Sequence, residues 1–223
     1  MKTAFFFCLL FNVIVSTLSA RLMISFSDSC TCNGKRTDCY GFKDEAGRII
    51  TAAKYQFIDQ DTIYSSHYYA INCNGEFLAI DSTGKELFTI FPFDNGPDYA
   101  SEGLFRYIEN GKIGFADTNY AAVIKAQYDF ATPFNHGLSA FCVGCKKTPV
   151  YSIDHKTRKE TIEEYPKHCS YTGGKWGFIN AKNEVVVDPV LDPISSFDST
   201  TAITWKNNKK KTINLKTIRK DRK

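Results

Sequence analysis

An all-β array of tandem meanders, each a hairpin plus a third strand, is the fold class that the sequence predicts, either as an open solenoid-like array or with propeller-like closure. Three observations predict it. First, an eight-residue frame recurs: Asn110-Gly111-Lys112-Ile113-Gly114-Phe115-Ala116-Asp117 reappears as Gly173-Gly174-Lys175-Trp176-Gly177-Phe178-Ile179-Asn180 and as Asn74-Gly75-Glu76-Phe77-Leu78-Ala79-Ile80-Asp81. Second, frames starting at 37, 74, 110, 147, 173 and 207 are spaced by 37, 36, 37, 26 and 34 residues, a repeat of about 35. Third, the frames at 74, 110 and 173 open on an Asn-Gly or Gly-Gly turn signal set between strand-like runs.

Asn-Gly and Gly-Gly tolerate positive φ at both central positions, as a tight hairpin turn requires. Leu104 to Glu109 enters the turn at 110 and Ile113 to Ala116 leaves it; Ala202 to Trp205 enters the turn at 207. The Asp or Asn that ends each frame, with Gly47, Gly84 or Asn183 three residues on, marks a second turn. Apolar runs follow: Ile49-Ile50, Leu87-Phe88, Val123-Ile124 and Val185-Val186-Val187. Each unit therefore reads as a three-stranded antiparallel meander. The frame at 37 runs Thr37-Asp38-Cys39-Tyr40-Gly41-Phe42-Lys43-Asp44, whereas the frame at 147 matches only at its end, Tyr151 to Asp154. Segment 147–172 reads as a shortened fourth unit, with a deletion that leaves a loop or a short helix.

The repeat-defining positions are Tyr40, Gly41, Phe42, Phe77, Gly114, Phe115, Trp176, Gly177 and Phe178. The fixed place of Trp176, Phe115, Phe77 and Phe178 beside the hairpin turn predicts core residues rather than a ligand platform. One small sheet cannot bury its apolar face alone, so the 14% aromatic content is expected to fill the seams between units.

Lys175-Trp176-Gly177-Phe178-Ile179-Asn180, backed by Val185-Val186-Val187-Asp188-Pro189 and Asp192, resembles the WG-repeat family of bacterial proteins. Ala122-Val123-Ile124, Tyr128-Asp129, Phe134 and Gly137 to Ala140 match the rest of that unit. The resemblance covers most of 37–215. It implies an exported or cell-associated binding protein and says little about the ligand.

Residues 1–20 have the layout of a secretory signal: Lys2, an apolar run from Ala4 to Val15, then Ser16 to Ala20. The run is shorter than the roughly 20 residues of a comfortable span. A cut after Ser19 or Ala20 would leave a secreted or periplasmic chain without a transmembrane segment. A Cys-containing segment 21–36 would precede the repeat domain 37–215, with a basic tail at 216–223.

Seven cysteines survive removal of the signal: Cys30, Cys32, Cys39, Cys73, Cys142, Cys145 and Cys169. In an exported chain they are disulfide candidates. A bridge from the 30–39 group to Cys73 would tie the start of the chain to the first units. One among Cys142, Cys145 and Cys169 could close the 146–168 excursion. Cys142-x-x-Cys145 has redox spacing but lacks the helix start that redox chemistry uses. Cys142, Cys145, His168 and Cys169 are suitable zinc ligands in type, although adjacent His168 and Cys169 are awkward partners.

Residues 206–223 carry a net charge of +8 within a chain of +4. The alternation of Ile213, Leu215 and Ile218 favours a closing hairpin and a solvated end over a nucleic-acid surface. No nucleophile elbow, phosphate loop or zinc helix is present. His67, His136, His155 and His168 form no constellation; His136 reads as a turn residue. Asp44, Asp81, Asp117 and Asp154 recur in register with Asn180 and Asn214, which favours turn capping over chemistry. The expectation is a monomeric, non-enzymatic binding module without cofactor or metal, facing an unknown protein or an envelope glycan. Tyr68, Tyr69, Tyr99 and Tyr151 are the aromatics for a glycan surface. A zinc-dependent or hydrolytic enzyme is the remaining alternative.

Overall fold

Asparagine–glycine turns and a recurrent carboxylate or amide set the meanders. A computed structural model describes residues 22–59, 62–63, 67–94, 96–149, 151–153, 160–162, 169–206 and 209–218. The signal segment, His155 and His168 lie outside them. The first unit comprises β1 (Met23–Cys32), β2 (Lys35–Lys43), β3 (Ile49–Tyr55) and the short β4 (Phe57–Ile58), with β5 (Thr62–Ile63) against β1. The second holds β6 (His67–Ile71), β7 (Phe77–Asp81), β8 (Glu86–Ile90) and a small pair, β9 (Pro92–Phe93) with β10 (Gly96–Pro97). The third holds β11 (Leu104–Glu109), β12 (Lys112–Asp117), β13 (Ala122–Tyr128) and β14 (Phe130–Ala131). The fourth runs through β15 (Ser139–Pro149), β16 (Tyr151–Ile153), β17 (Glu160–Ile162), β18 (Cys169–Ile179), β19 (Val185–Leu191) and β20 (Ile194–Phe197). The hairpin β21 (Thr201–Lys206) and β22 (Lys209–Asn214) closes the chain, followed by one 3₁₀ turn, Leu215–Thr217.

The second turn is built alike in four units. The amides two and four residues on donate to the side-chain oxygen of Asp81 (2.8 and 3.1 Å), Asp117 (both 2.9 Å) and Asn180 (3.0 and 2.9 Å), and Arg48 N donates to Asp44. The residue three on takes positive φ: Gly47, Gly84, Tyr120 and Asn183. These acids cap turns, as their register implies.

The glycine of the frame decides where the third strand goes. A Cβ on Gly41 would lie 2.5 Å from Thr51 O, and one on Gly114 would lie 2.6 Å from Ile124 O. On Gly177 it would lie 2.9 Å from Pro189 N. The third strand thus crosses directly over the glycine, and its register shifts there in all three units. It then bends and joins the next sheet, as β4 with β6, β14 with β15 and β20 with β21. In the second unit Leu78 stands in place of the glycine. There β8 runs on to pair with β11, so the second and third units share one seven-stranded sheet, β13-β12-β11-β8-β7-β6-β4.

Two boundaries differ from the sequence reading. Segment 21–36 is not an irregular prelude: β1 is the first strand of unit one and turns at Asn33-Gly34, where Cys32 pairs Lys35. This hairpin is longer than its neighbours, so the frame seen at 37 begins inside β2. In segment 147–172 the described residues are strands rather than a loop or a short helix. β15 and β18 pair from Ser139–Ile179 out to Pro149–Cys169, and β16 pairs β17 beyond. Gly173-Gly174, which reads as a hairpin turn, lies mid-ladder, where Gly173 pairs Cys145. The fourth unit is one meander with a lengthened hairpin.

The seams hold the core. Phe91, Leu104, Ile113, Phe115, Ile124 and Phe134 pack with Phe141 and Ile179 of the following unit. Trp176 and Phe178 pack with Leu138, Val187, Ala202 and Leu215. Tyrosines reach across as well: Tyr55 Oη donates to Glu86 (3.0 Å) and Tyr128 Oη to Asn183 (2.6 Å).

Candidate binding groove

After each third strand the chain makes another turn before the next unit starts. Ser101 N donates to Leu104 O (2.9 Å), Asn135 N to Leu138 O (2.8 Å) and Asp198 N to Thr201 O (2.9 Å). Ser101, Asn135 and Asp198 are therefore equivalent positions in three successive turns. The first two turns are bonded together: Ser101 Oγ donates to Phe134 O (2.6 Å) and Gly137 N to the Glu102 carboxylate (3.0 Å). Together with β20, the strand ahead of the third, they line an open groove of about 440 Å³. That volume is in the range of ordinary ligand clefts.

The groove has an aromatic wall and a polar rim without a carboxylate, ammonium or imidazole among its lining side chains. Tyr99 is 59% exposed, and its ring meets Phe93 edge-on at 5.3 Å. Phe134 lies buried beneath, and Phe197 packs edge-on against Phe178 at 5.1 Å. The Ser195 hydroxyl donates to Ile203 O (3.3 Å) and accepts from the half-exposed indole of Trp205 (3.2 Å). Among the described residues, no hydrogen-bond partner reaches the Tyr99 phenol, the Asn135 amide or the Ser196 hydroxyl.

A buried ion pair holds Tyr99 in place. Asp98 accepts from Arg106 Nε (2.9 Å), Nη2 (2.8 Å) and backbone N (2.8 Å), while Arg106 Nη1 donates to Ala131 O (3.2 Å). The guanidinium lies 4.1 Å from the Phe91 ring centroid. Both side chains are almost fully buried, so the pair acts as a rigid pin between the chain before Tyr99 and the strand ahead of the next turn.

The frame residues sit beside this groove as structure. Trp176 is buried, donates through Nε1 to Gly173 O (3.3 Å) and meets Phe130 at 5.7 Å. Phe42, Phe77, Phe115 and Phe178 are buried as well. Tyr40 is 37% exposed, although it pairs Tyr55 of the third strand as Ile113 pairs Tyr128. The lysine of the frame pairs with the aspartate behind the third strand in two units: Lys112 with Asp129, and Lys175 with Asp192 at 3.3 Å. The family model for the WG containing repeat matches residues 113–146 and 176–209. The chain carries WG repeats. Each matched segment runs from the residue before the frame glycine, Ile113 or Trp176, through the third strand and the inter-unit turn, to the next hairpin. No curated protein and no solved structure matches the chain.

The other candidate tyrosines fall outside the two matched segments, apart from the groove. Tyr68 is buried, Tyr69 packs at 6.0 Å against Phe77, and the Tyr151 side chain lies outside the described residues. Burial lifts the Tyr69 phenol to about 12. Of the described tyrosines for a glycan surface, Tyr99 lines the groove and Tyr68 and Tyr69 do not. His136 takes positive φ in a turn, and the His67 ring lies against Tyr120 at 5.4 Å.

Cys30 bridges Cys39 within the first hairpin, and Cys32 bridges Cys73 of the second unit, with Cα separations of 5.7 and 5.4 Å. Cys142 bridges Cys145 (Cα separation 6.0 Å). That bond spans only Val143 and Gly144 and does not close the 146–168 excursion. The side chain of Cys169 lies outside the described residues. Its backbone pairs Pro149, four ladder steps beyond Gly173 and Cys145, or about 13 Å along a strand. The zinc grouping with Cys142 and Cys145 is therefore not assembled. Among the described residues no helix is long and apolar enough to cross a membrane.

The signal that sequence reasoning missed is the third turn. Tyr99 to Ser101, Pro133 to Asn135 and Ser196 to Asp198 occupy equivalent places, but their chemistry varies too much for a sequence frame to show it.

Proposed function

We propose that this chain is an exported, non-enzymatic binding module whose WG repeats form a scaffold for the groove at Tyr99. The groove carries the reading. It is the place where three successive units converge, and it offers an exposed ring with unpartnered polar groups. Its lining holds no carboxylate, ammonium or imidazole to act as the acid or base that hydrolysis needs. Export is supported by the secretory layout of residues 1–20 and by six cysteines paired in three bridges. The test is retention of the exported chain on an envelope fraction from its own cells. Tyr99→Ala should reduce retention at least tenfold with an unchanged β spectrum. Equal retention of the variant would remove the groove from the function.

A glycan is favoured over a protein partner by one observation. Sugars present a flat apolar face and a hydroxyl edge, and the groove pairs a ring with neutral amide and hydroxyl groups.

A further inference from the structure

The three turns around the groove are equivalent parts of successive repeats, and that equivalence constrains the ligand. The position before the turn's first hydrogen-bonded residue holds Ala100, Phe134 and Phe197; the bonded position holds Ser101, Asn135 and Asp198. An apolar side chain is thus followed by a polar one at each step. At the third turn the Asp198 carboxylate faces away, held far below the ordinary carboxylate range by the amides of Thr200 (2.7 Å) and Thr201 (2.7 Å). Ser196 lines the groove there instead.

We infer that the ligand is a linear, uncharged glycan chain, bound along its interior across the three turns rather than at a terminal sugar. This rests on the groove being the binding site. A scaffold in which three successive units each supply a polar side chain, Ser101, Asn135 and Ser196, suits a ligand that repeats. A compact ligand would engage one turn and leave the others without a role. Charge argues in the same direction. The lining holds no ammonium or guanidinium to meet a sulfated or uronic polymer, and no carboxylate to meet an amino sugar with a free amine. Tyr99, 59% exposed, provides the stacking face at one end, while Ser195 and Ser196 provide hydroxyls at the other. Trp205 senses occupancy through its hydrogen bond to Ser195.

The test is calorimetric titration of the full chain with neutral β-linked glucose and N-acetylglucosamine oligomers of increasing length, with polygalacturonate as the acidic comparison. Affinity should rise about tenfold for each further turn engaged and then level off. Blocking the oligomer's reducing end should change nothing, and Trp205 emission should shift on binding. Asn135→Ala and Ser196→Ala should each weaken the longest oligomer several-fold while leaving the shortest unaffected or nearly so. A single sugar that binds as tightly as the oligomers, or an acidic polymer that outcompetes them, would overturn the inference. If Tyr99→Ala abolishes envelope retention yet no neutral oligomer binds, the linear-glycan inference fails while the groove reading stands. If oligomers bind Tyr99→Ala as well as they bind the unaltered chain, both fail.

Discussion

Gly114→Ala should lower stability by about 3 kcal/mol. An added Cβ would stand 2.6 Å from Ile124 O and from the Tyr107 ring, and 2.7 Å from Ala126 N, where ordinary contact begins at 3.4 Å. The third strand would have to retreat by about 0.7 Å. Overpacking of that kind costs roughly 1–3 kcal/mol. The retreat also strains the hydrogen bond from Ala126 N to Tyr107 Oη (3.1 Å), a loss of about 1 kcal/mol. Gly96→Ala is the control, because nothing lies within 4 Å of the Cβ it would gain and its φ is not in the left-handed region. Urea unfolding gives both free energies from the midpoints at constant slope. For a chain of 223 residues the predicted loss corresponds to a fall of about 6–12 °C in Tm. A Gly114→Ala value within about 0.5 kcal/mol of Gly96→Ala would refute the claim that this glycine exists for the strand crossing.

Trp176→Ala should cost about 3–5 kcal/mol by thermal unfolding, as for other buried aromatics, and a loss below about 0.5 kcal/mol would mark the indole as exposed. Non-reducing peptide mapping should recover the Cys30–Cys39, Cys32–Cys73 and Cys142–Cys145 links, leaving Cys169 unbridged within the chain. Removing the Cys32–Cys73 bridge, of separation 41, should cost about 4 kcal/mol from loop closure, and the Cys142–Cys145 bridge, of separation 3, far less. The far-UV signal should stay β-rich after reduction. Asp81 is pushed up by burial, but hydrogen bonds from Thr83 and the Lys85 amide, with the Lys85 charge, hold its carboxyl below the usual 3.8. Its contribution is therefore present above about pH 4 and lost as the pH falls through the lower folded value. Asp81→Asn should keep the turn, as Asn180 does, and flatten that acid limb; an unchanged limb would contradict the assignment. Asp98→Ala should cost about 3–5 kcal/mol by leaving Arg106 buried and unpaired, read by the same urea titration.

How much of this was legible in the sequence depends on the kind of signal. Asn110-Gly111 and the Asp or Asn at each frame's end act locally, through positive φ and side-chain-to-amide bonds, so the meander could be read from them. Asn33-Gly34 carried the same signal but sat ahead of the frame, and the longer first hairpin hid it. Gly173-Gly174 failed in the opposite sense: both residues take positive φ, yet inside a ladder, beside the Cys142–Cys145 bridge. The groove was least legible. It depends on three units meeting, and of the described tyrosines singled out for a glycan surface Tyr99 lines it and Tyr68 and Tyr69 do not. The Asp98–Arg106 pin behind it joins residues eight apart with no periodic mark.

Leu78 in place of the frame glycine has a bearing on cooperativity. Where β8 runs straight into β11, one hydrogen-bonded sheet spans two units, and neither can open without exposing strand edges of the other. Elsewhere the links between sheets narrow to short strand segments at residues 57–58, 130–131 and 194–197. The chain is therefore divided into unequal folding blocks. Amide exchange from β6 through β13 should report a single opening event, with separate and easier openings on either side. One side chain in a strand thus sets the size of the largest cooperative block in the array.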